Sequence, residues 1–462
     1  MKRQSWGLLV LLLGIGIVTG CSGASGGANG SANGAESAGA QPQASSPASS
    51  ESASGGDQQP VTLKVLRVGI TVTQAEFEKT LVERTKEKFP HVTLEWVEAP
   101  EDVELEPLIT SGSVPDIMFV STSSLSTTLK ELNLAENLQP YIEKHKVDLA
   151  RLKPVVLDTV SKYSPEEGLH AIPFSVNLPV VFYNKDIFDK FGAPYPPDEQ
   201  LSWNEAIELG KQVTRSDNGV DYIGIDLFGS SNIATGLDLY IVDPETGKAD
   251  VTTPEWRKVF EQLQRSYEVQ GYIGPDGRYQ YANDDDIFYN EKNLAMVAYN
   301  IAHLLGPLEE LRQQGIELNW DFAPFPNFEE NLGTGKAANV HSLIVTQASK
   351  NKDIAFQVIA NILTDESQLA LSRIGRVPTV EGKQFEEVYG ADIPVLEGRT
   401  VANIFKAPPR NVIKPHKFES KVRKFLTEAE RSIAVDGVDV NSALRTAQEA
   451  IEKELITLSK TN

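Results

Sequence analysis

The chain has 462 residues, one cysteine, six histidines and a formal net charge of −21 from 64 acidic and 43 basic side chains. A single thiol excludes an intrachain disulfide and any multi-thiolate metal site. So acidic a chain argues against nucleic acid, which needs basic surface, and against tight docking on bare anionic lipid.

Lys2 and Arg3 precede an apolar run from Trp6 to Val18, and small residues Thr19 and Gly20 stand just before Cys21. A bilayer-spanning helix needs about 20 apolar residues, so the run is short for a permanent span and the right size for the core of a secretory signal. Val18-Thr19-Gly20-Cys21 resembles the bacterial lipobox. The resemblance implies that residues 1–20 are a lipoprotein signal peptide. Cys21 would then be the first mature residue and the lipid anchor, its sulfur acylated. Each buried methylene adds about 0.8 kcal/mol, and one acyl chain alone holds weakly, so several would be needed.

Residues 21–60 read as a lipid-anchored disordered linker. Past Cys21 they are almost wholly Ser, Gly, Ala, Gln, Asn and Pro, with Glu36, Glu51 and Asp57 the only charges. Such a composition cannot bury enough apolar surface to offset the entropy of ordering. As a flexible coil it would reach on the order of 35 Å. Gly23-Ala24-Ser25-Gly26-Gly27 matches the G-x-S-x-G nucleophile elbow only in form, because that elbow needs a strand before it and a helix after it.

From Val61 onward roughly 400 residues remain, the size of two lobes rather than one core. Val61–Thr71 predicts a strand, Gln74–Phe89 a helix closed by Pro90, and Val92–Val97 a second strand. A helix over Val103–Ile109, a turn over Ser111–Asp116 and a buried strand over Ile117–Val120 follow. Strands alternating with helices predict an α/β fold with a parallel sheet. Val180–Tyr183 and Tyr222–Phe228 read as further buried strands, and residues 418–460 as helical.

Three stretches resemble one family. Ser111-Gly112-Ser113-Val114-Pro115-Asp116-Ile117 is similar to a G-x-x-P-D-[IV] turn and strand. Gly168 to Gly192, through Ile172-Pro173 and Phe182-Tyr183-Asn184-Lys185-Asp186-Ile187-Phe188, is similar to a paired [IL]-P and Y-[YF]-N-K-D-[LI]-F pattern. Ser202-Trp203-Asn204-Glu205, Ala295-Met296 and Pro324-Phe325-Pro326 complete the order across most of residues 61–380. Together they resemble the extracellular solute-binding proteins of ABC importers, in the branch of maltose- and oligosaccharide-binding proteins. The resemblance implies a two-lobe periplasmic-binding-protein-like fold of type II, its lobes joined by hinge-crossing strands and closing over a ligand. By analogy lobe one takes residues 61–175 and 325–375, and lobe two takes 176–324 and 376–462. Pro173 to Tyr183 would be the first crossing.

Ligands of open α/β sheets sit beyond the carboxyl ends of strands. Thr71 and Thr73 follow the first strand, Ser121 and Thr122 the third, and Ser230 the strand ending at Phe228. Their hydroxyls both donate and accept, which suits a polyol, though each could equally cap a helix. Asn177 corresponds to a family cleft position. Tyr299 and Asn300 stand where many members carry Gly and Trp, so Tyr299 or His303 would have to supply any platform for a sugar ring. His341, Arg376 and Lys417 are further cleft candidates, with a structural ion pair the alternative for Arg376. Trp203 and Trp256, at helix starts, read as packing residues.

Catalytic and metal chemistry finds little footing. The six histidines include no close pair and no H-E-x-x-H, Gly333-Thr334-Gly335-Lys336 lacks the first glycine and the Ser/Thr of a phosphate loop, and Asp284-Asp285-Asp286 lacks the spacing of a calcium loop. No cofactor is implied. The reading is a non-enzymatic, monomeric lipoprotein on the extracellular face of the cell membrane, held there through its lipid anchor only. It would bind a small neutral solute, an oligosaccharide foremost, and deliver it to ABC permease subunits. A secreted lipoprotein glycan hydrolase and a receptor-only solute sensor are the alternatives.

Overall fold

Among the described residues ten strands organise the fold: β1 (Val61–Val68), β2 (Val92–Trp96), β3 (Ile117–Val120), β4 (Ile172–Val176), β5 (Pro179–Asn184), β6 (Arg215–Asp217), β7 (Val220–Tyr222), β8 (Met296–Asn300), β9 (Trp320–Pro324) and β10 (Val340–Val345). The computed structural model describes residues 59–70, 72–98, 105–125, 132–164, 168–281 and 286–461. Every residue of β3, β4, β5, β9 and β10 is buried. Continuous burial is what a strand covered on both faces requires, and it explains why these segments read as apolar runs rather than alternating ones.

The first sheet has the order β2-β1-β3-β10-β4. β1 pairs in parallel with β2 and with β3, and β10 runs antiparallel to both β3 and β4. The second sheet has the order β8-β5-β9, with both pairings antiparallel. β6 and β7 form a separate hairpin. The parallel part expected from Val61 to Val120 is therefore the edge of a mixed sheet, completed by β10 from more than 200 residues downstream.

β4 and β5 lie in different sheets with only Asn177 and Leu178 between them. The Asn177 N–H donates to the Asn339 carbonyl at 2.8 Å, and the Leu178 carbonyl accepts from the Ile301 N–H at 2.8 Å. The return from β9 to β10 spans residues 325–339. Gln200 Nε2 donates to the Phe325 carbonyl at 2.7 Å, and the Ala337 N–H donates to the Thr235 carbonyl at 3.2 Å. Val377 bridges to Val176 of β4, whereas the Val395 N–H donates to Glu309 and the Thr400 N–H to Asp321 of β9.

The stretch Tyr222–Phe228, expected as a continuous strand, is not one. It lies beside β8 through isolated parallel bridges, Ile223 to Leu294 and Asp226 to Val297. The helix Trp203–Lys211 crosses it so closely that a Cβ on Gly224 would lie 2.0 Å from the Gly210 carbonyl oxygen. Two glycines thus let backbone meet backbone where side chains would hold a strand and helix apart. Trp203 and Trp256 are fully buried packing residues, as expected. Trp203 meets Phe325 edge-on at 5.2 Å, and Trp256 Nε1 donates to the Tyr240 carbonyl at 2.8 Å. The C-terminal helices run Glu419–Val422, Lys424–Ala434 and Val440–Thr461.

Gly224→Ala should lower stability by about 2 kcal/mol or more, the cost of forcing atoms into a filled site. A urea unfolding midpoint equal to wild type would contradict this close approach.

Candidate functional site

A cavity of about 550 Å³ opens where the strand ends of both sheets face each other. Thr122, at the start of the helix following β3, and Tyr163, at the end of the helix Pro154–Tyr163, line it from the first sheet's side. Phe228, Ser231 and Asn232 line it from the other side, with Tyr299 and Asn300 at the end of β8. Lys336 and Asn339 come from the return segment, and His416, Lys417, Glu419 and Arg423 from the start of the C-terminal helices.

The loop carrying Phe228 is held by Asp226. This buried carboxylate accepts from the Phe228 N–H at 2.7 Å and from the Tyr281 N–H. Phe228 takes φ = 59° and Gly229 φ = 79°. A left-handed phenylalanine is uncommon and costs energy. The turn lays the Phe228 ring on that of Tyr299, with centroids 3.6 Å apart and planes at 15°. His303 stands edge-on to both rings but does not line the cavity.

Asn232 is fixed by three contacts. Its Nδ2 donates to the carbonyls of Leu227 (2.9 Å) and Ala298 (2.8 Å), and its Oδ1 accepts from Lys336 Nζ at 2.8 Å. Lys336 is buried, with Nζ 4.6 Å from the Tyr299 ring centroid. Burial pulls its pKa from 10.5 down to about 7, because an ammonium loses its hydration there. Asn300 occupies the cap position of the helix Ile301–Gln313 without capping it. Asn177 Oδ1 accepts the Ala302 N–H instead, at 3.2 Å, and the buried Asn300 Oδ1 has no hydrogen-bond partner.

Burial raises the Tyr163 pKa to about 12 and raises that of Glu419, whose carboxylate accepts the N–H groups of Ile241 (2.9 Å) and Val242 (3.1 Å). His416 is pushed down by burial and then by Lys417.

Of the residues singled out from sequence, Thr122, Tyr299, Asn300 and Lys417 meet in this cavity. The Thr122 hydroxyl is already engaged, donating to the Val340 carbonyl at 3.0 Å and accepting its N–H at 2.7 Å. Ser121 is buried against Ser124, their hydroxyls 3.1 Å apart. Ser230 is fully buried and donates its N–H to Glu430 at 2.8 Å, so its neighbours Ser231 and Asn232 reach the cavity in its place. Asn177 belongs to the crossing. Thr73 caps the helix Gln74–Phe77 in a capping box with Glu76. Arg376 pairs with that Glu76 at 2.8 Å and contacts His341 Nδ1 at 3.3 Å. Thr73, His341 and Arg376 thus form a network on the first sheet that does not line the cavity. Thr71 and Cys21 lie outside the described residues.

Sequence reasoning missed Asn232, Lys336, Asn339, Glu419 and Arg423. Lys336 stood in a Gly-Thr-Gly-Lys segment read only as a failed phosphate loop. The basic run from Arg410 to Lys424 was a usable signal for Lys417 and Arg423 in so acidic a chain. Among the described residues no group of three His, Cys, Asp or Glu could hold a metal, and no helix is long and apolar enough to cross a membrane.

Residues 71–369 match the family model of the bacterial extracellular solute-binding proteins. The chain belongs to that family. A binding protein of Brucella abortus (strain 2308) is 26% identical over 286 residues, 58% of this chain and 64% of the relative. The arabinooligosaccharide-binding protein of Halalkalibacterium halodurans is 23% identical over 270 residues, 54% of this chain and 55% of its own length. The chain thus spans less than two thirds of the length of these curated relatives.

Two solved structures carry the same two-lobed fold. The ABC substrate-binding protein Lmo0181 from Listeria monocytogenes, in complex with cycloalternan, superposes with a TM-score of 0.66 at 19% identity, covering 86% of this chain and 99% of that one. The sugar-binding protein MalE from Xanthomonas citri gives 0.65 at 18%, covering 87% and 98%. The expected two-lobe periplasmic-binding-protein fold is therefore the one observed, with the sheet switch between β4 and β5 as its first crossing.

His341 supplies a test of the first-sheet network. Burial, then Arg376, pulls its pKa from 6.5 to about 3. As pH falls from 6.5 toward 3 the unfolded chain gains a proton that the native one refuses. Stability should therefore be lost by up to about 1.4 kcal/mol per pH unit from this group. His341→Gln should flatten the decline between about pH 6.5 and 5, where few carboxylates titrate. Parallel stability–pH curves for the two proteins would show that His341 is not held neutral.

Proposed function

We propose that this protein is the solute-capturing component of an ABC importer, taking an oligosaccharide between its lobes and delivering it to permease subunits in the membrane. The observation that carries this reading is the cavity itself, lined from both sheets' sides in a chain that changes sheet through the short Asn177-Leu178 link. A ligand there touches both lobes, so binding and lobe closure are one event. The residues lining it suit a hydroxylated ligand: Ser231, Asn300, Asn339 and the Phe228–Tyr299 pair. The arabinooligosaccharide relative and the cycloalternan complex lend support by likeness. The lobes would exchange near 177–178, 338–339 and 393–395, within about 20 residues of the boundaries expected from family analogy.

The protein acts here as a carrier, not a hydrolase. Glycoside hydrolysis requires two carboxyl groups flanking the scissile bond. Glu419 is the one carboxylate among the described lining residues, and two backbone N–H groups already hold it. Cys21 would carry the acyl chains that keep the monomer on the extracellular face, as the Val18–Cys21 sequence implies.

A thermal-shift panel of neutral and acidic mono- and oligosaccharides, amino acids, peptides and polyamines tests the capture reading. A cognate oligosaccharide at a hundredfold excess over Kd should stabilise the protein by about 2.7 kcal/mol. Shifts confined to amino acids, peptides or amines would overturn the sugar assignment, and turnover of a stabilising glycan would overturn the carrier role. For the anchor, Cys21→Ser should move the protein from the membrane fraction to the medium and abolish palmitate labelling. Wild-type protein recovered unlabelled in the medium would defeat it.

A further inference from the structure

The cavity reverses the sign of the protein around it. The chain carries −21 overall, yet the charged residues lining the cavity are Lys336, Lys417, Arg423 and Glu419, with the titratable His416 beside them. The sole carboxylate is turned into backbone, each oxygen of Glu419 accepting one N–H. Among the described residues Lys336 makes no ion pair, its Nζ donating to Asn232 Oδ1 and lying over the Tyr299 ring. Arg423 lines the cavity and lies near enough to Tyr163, Tyr299 and Glu419 to act on the ionisation of all three. Lys417 and Arg423 come from the stretch 410–424, which has six Lys or Arg and one acid.

An unpaired ammonium taken out of water is among the costliest groups to bury. This chain has 64 carboxylates and sets none of those in the described residues against Lys336. Burial answers that cost by lowering the Lys336 pKa to about 7, and a neutral sugar would leave the same penalty on its charged form. An anion would remove it, and the local positive potential would draw that anion through a field that otherwise repels it.

We infer that the saccharide captured here is anionic, bearing a carboxylate, sulfate or phosphate that faces Lys336, Lys417 and Arg423. This rests on the capture reading above and replaces the neutral ligand expected from sequence. The three acidic groups share the chemistry these cations recognise. The position of Lys336 between Asn232 and the aromatic pair places the charge beside the hydroxyl-binding groups, as on a sugar ring.

The test is calorimetry on the full mature chain. The probes are trigalacturonate, its neutral methyl ester, N-acetylglucosamine 6-sulfate with N-acetylglucosamine, and glucose 6-phosphate with glucose. At least one acidic member should bind about tenfold or more tighter than its neutral partner, and the acid that does so identifies the group. That preference should shrink as salt rises from about 0.05 to 0.5 M, because screening weakens exposed charge pairs first. Lys336→Gln should abolish most of the preference for the acidic member. Lys417→Gln, at an exposed residue, should reduce the preference even if the Lys336 variant does not fold. Neutral and acidic partners binding equally, or a preference unchanged in both variants, would overturn the inference and leave the capture of a sugar intact. Absence of binding by every saccharide, with a response to amino acids or peptides, would instead overturn the capture reading, and the inference with it.

Discussion

Two residues, Asn177 and Leu178, carry the chain from one sheet to the other, and the hydrogen bonds around them govern what the rest of the molecule can do. The Asn177 N–H is bound to Asn339, on the segment returning to the first sheet. Its side chain and the Leu178 carbonyl bind the first N–H groups of the helix Ile301–Gln313. Three chain segments therefore meet at one point. Any rotation of the lobes must be taken up in the few dihedrals beside it, which is how hinge closure concentrates motion in element-terminal residues. The same contacts have a consequence in the cleft. Because Asn177 does the capping, Asn300, at the cap position itself, keeps its amide oxygen for something else.

Other polar groups near the cavity are fully engaged. Ser230 serves Glu430, Thr122 serves Val340, and Asp226 supports a left-handed Phe228. These interactions fix the walls and leave their neighbours to meet a ligand. Strained backbone persists only where the surroundings over-determine it, and the Asp226 carboxylate with the Phe228–Tyr299 stack supplies that constraint. The result is a wall on the second sheet's side fixed by its own hydrogen bonds and ring stack.

Much of this was legible in the sequence. The apolar runs at Ile117 and Val180 identify strands because a strand buried on both faces admits few polar residues, whereas β1 exposes Thr62 and Lys64 and buries Leu63 and Val65 between and beside them. The Phe182–Phe188 segment and its companions placed the family and the first crossing. Less legible was the register between distant strands. That β10 inserts between β3 and β4 depends on packing across more than 160 residues, and local pattern does not carry it. The stretch from Tyr222 failed as a strand because Gly224 and Gly210 exchange side-chain volume for close contact, which no single-segment pattern records. Site residues were read from strand ends, and a shift of one residue decided the outcome. Ser230 faces Glu430 while Ser231 faces the cavity. Arg376 and His341 carried attractive chemistry but satisfy each other and Glu76 on the first sheet.

Charge is the property that composition conceals most completely. A net of −21 describes the field at a distance, whereas a ligand in the cleft meets a few groups within a Debye length of about 8 Å. There the balance is set by which carboxylates are turned away. Glu419 is the instructive case, close enough to Arg423 to be influenced by it yet hydrogen-bonded to the backbone at Ile241 and Val242. The cations beside it are thus left available for a ligand. A ligand can move the lobes only by interacting more favourably with the closed form than with the open one. Cations contributed from the return segment and the C-terminal helices, in one cavity with Tyr163, would provide such a difference for an anion if the proposed closure draws them around it.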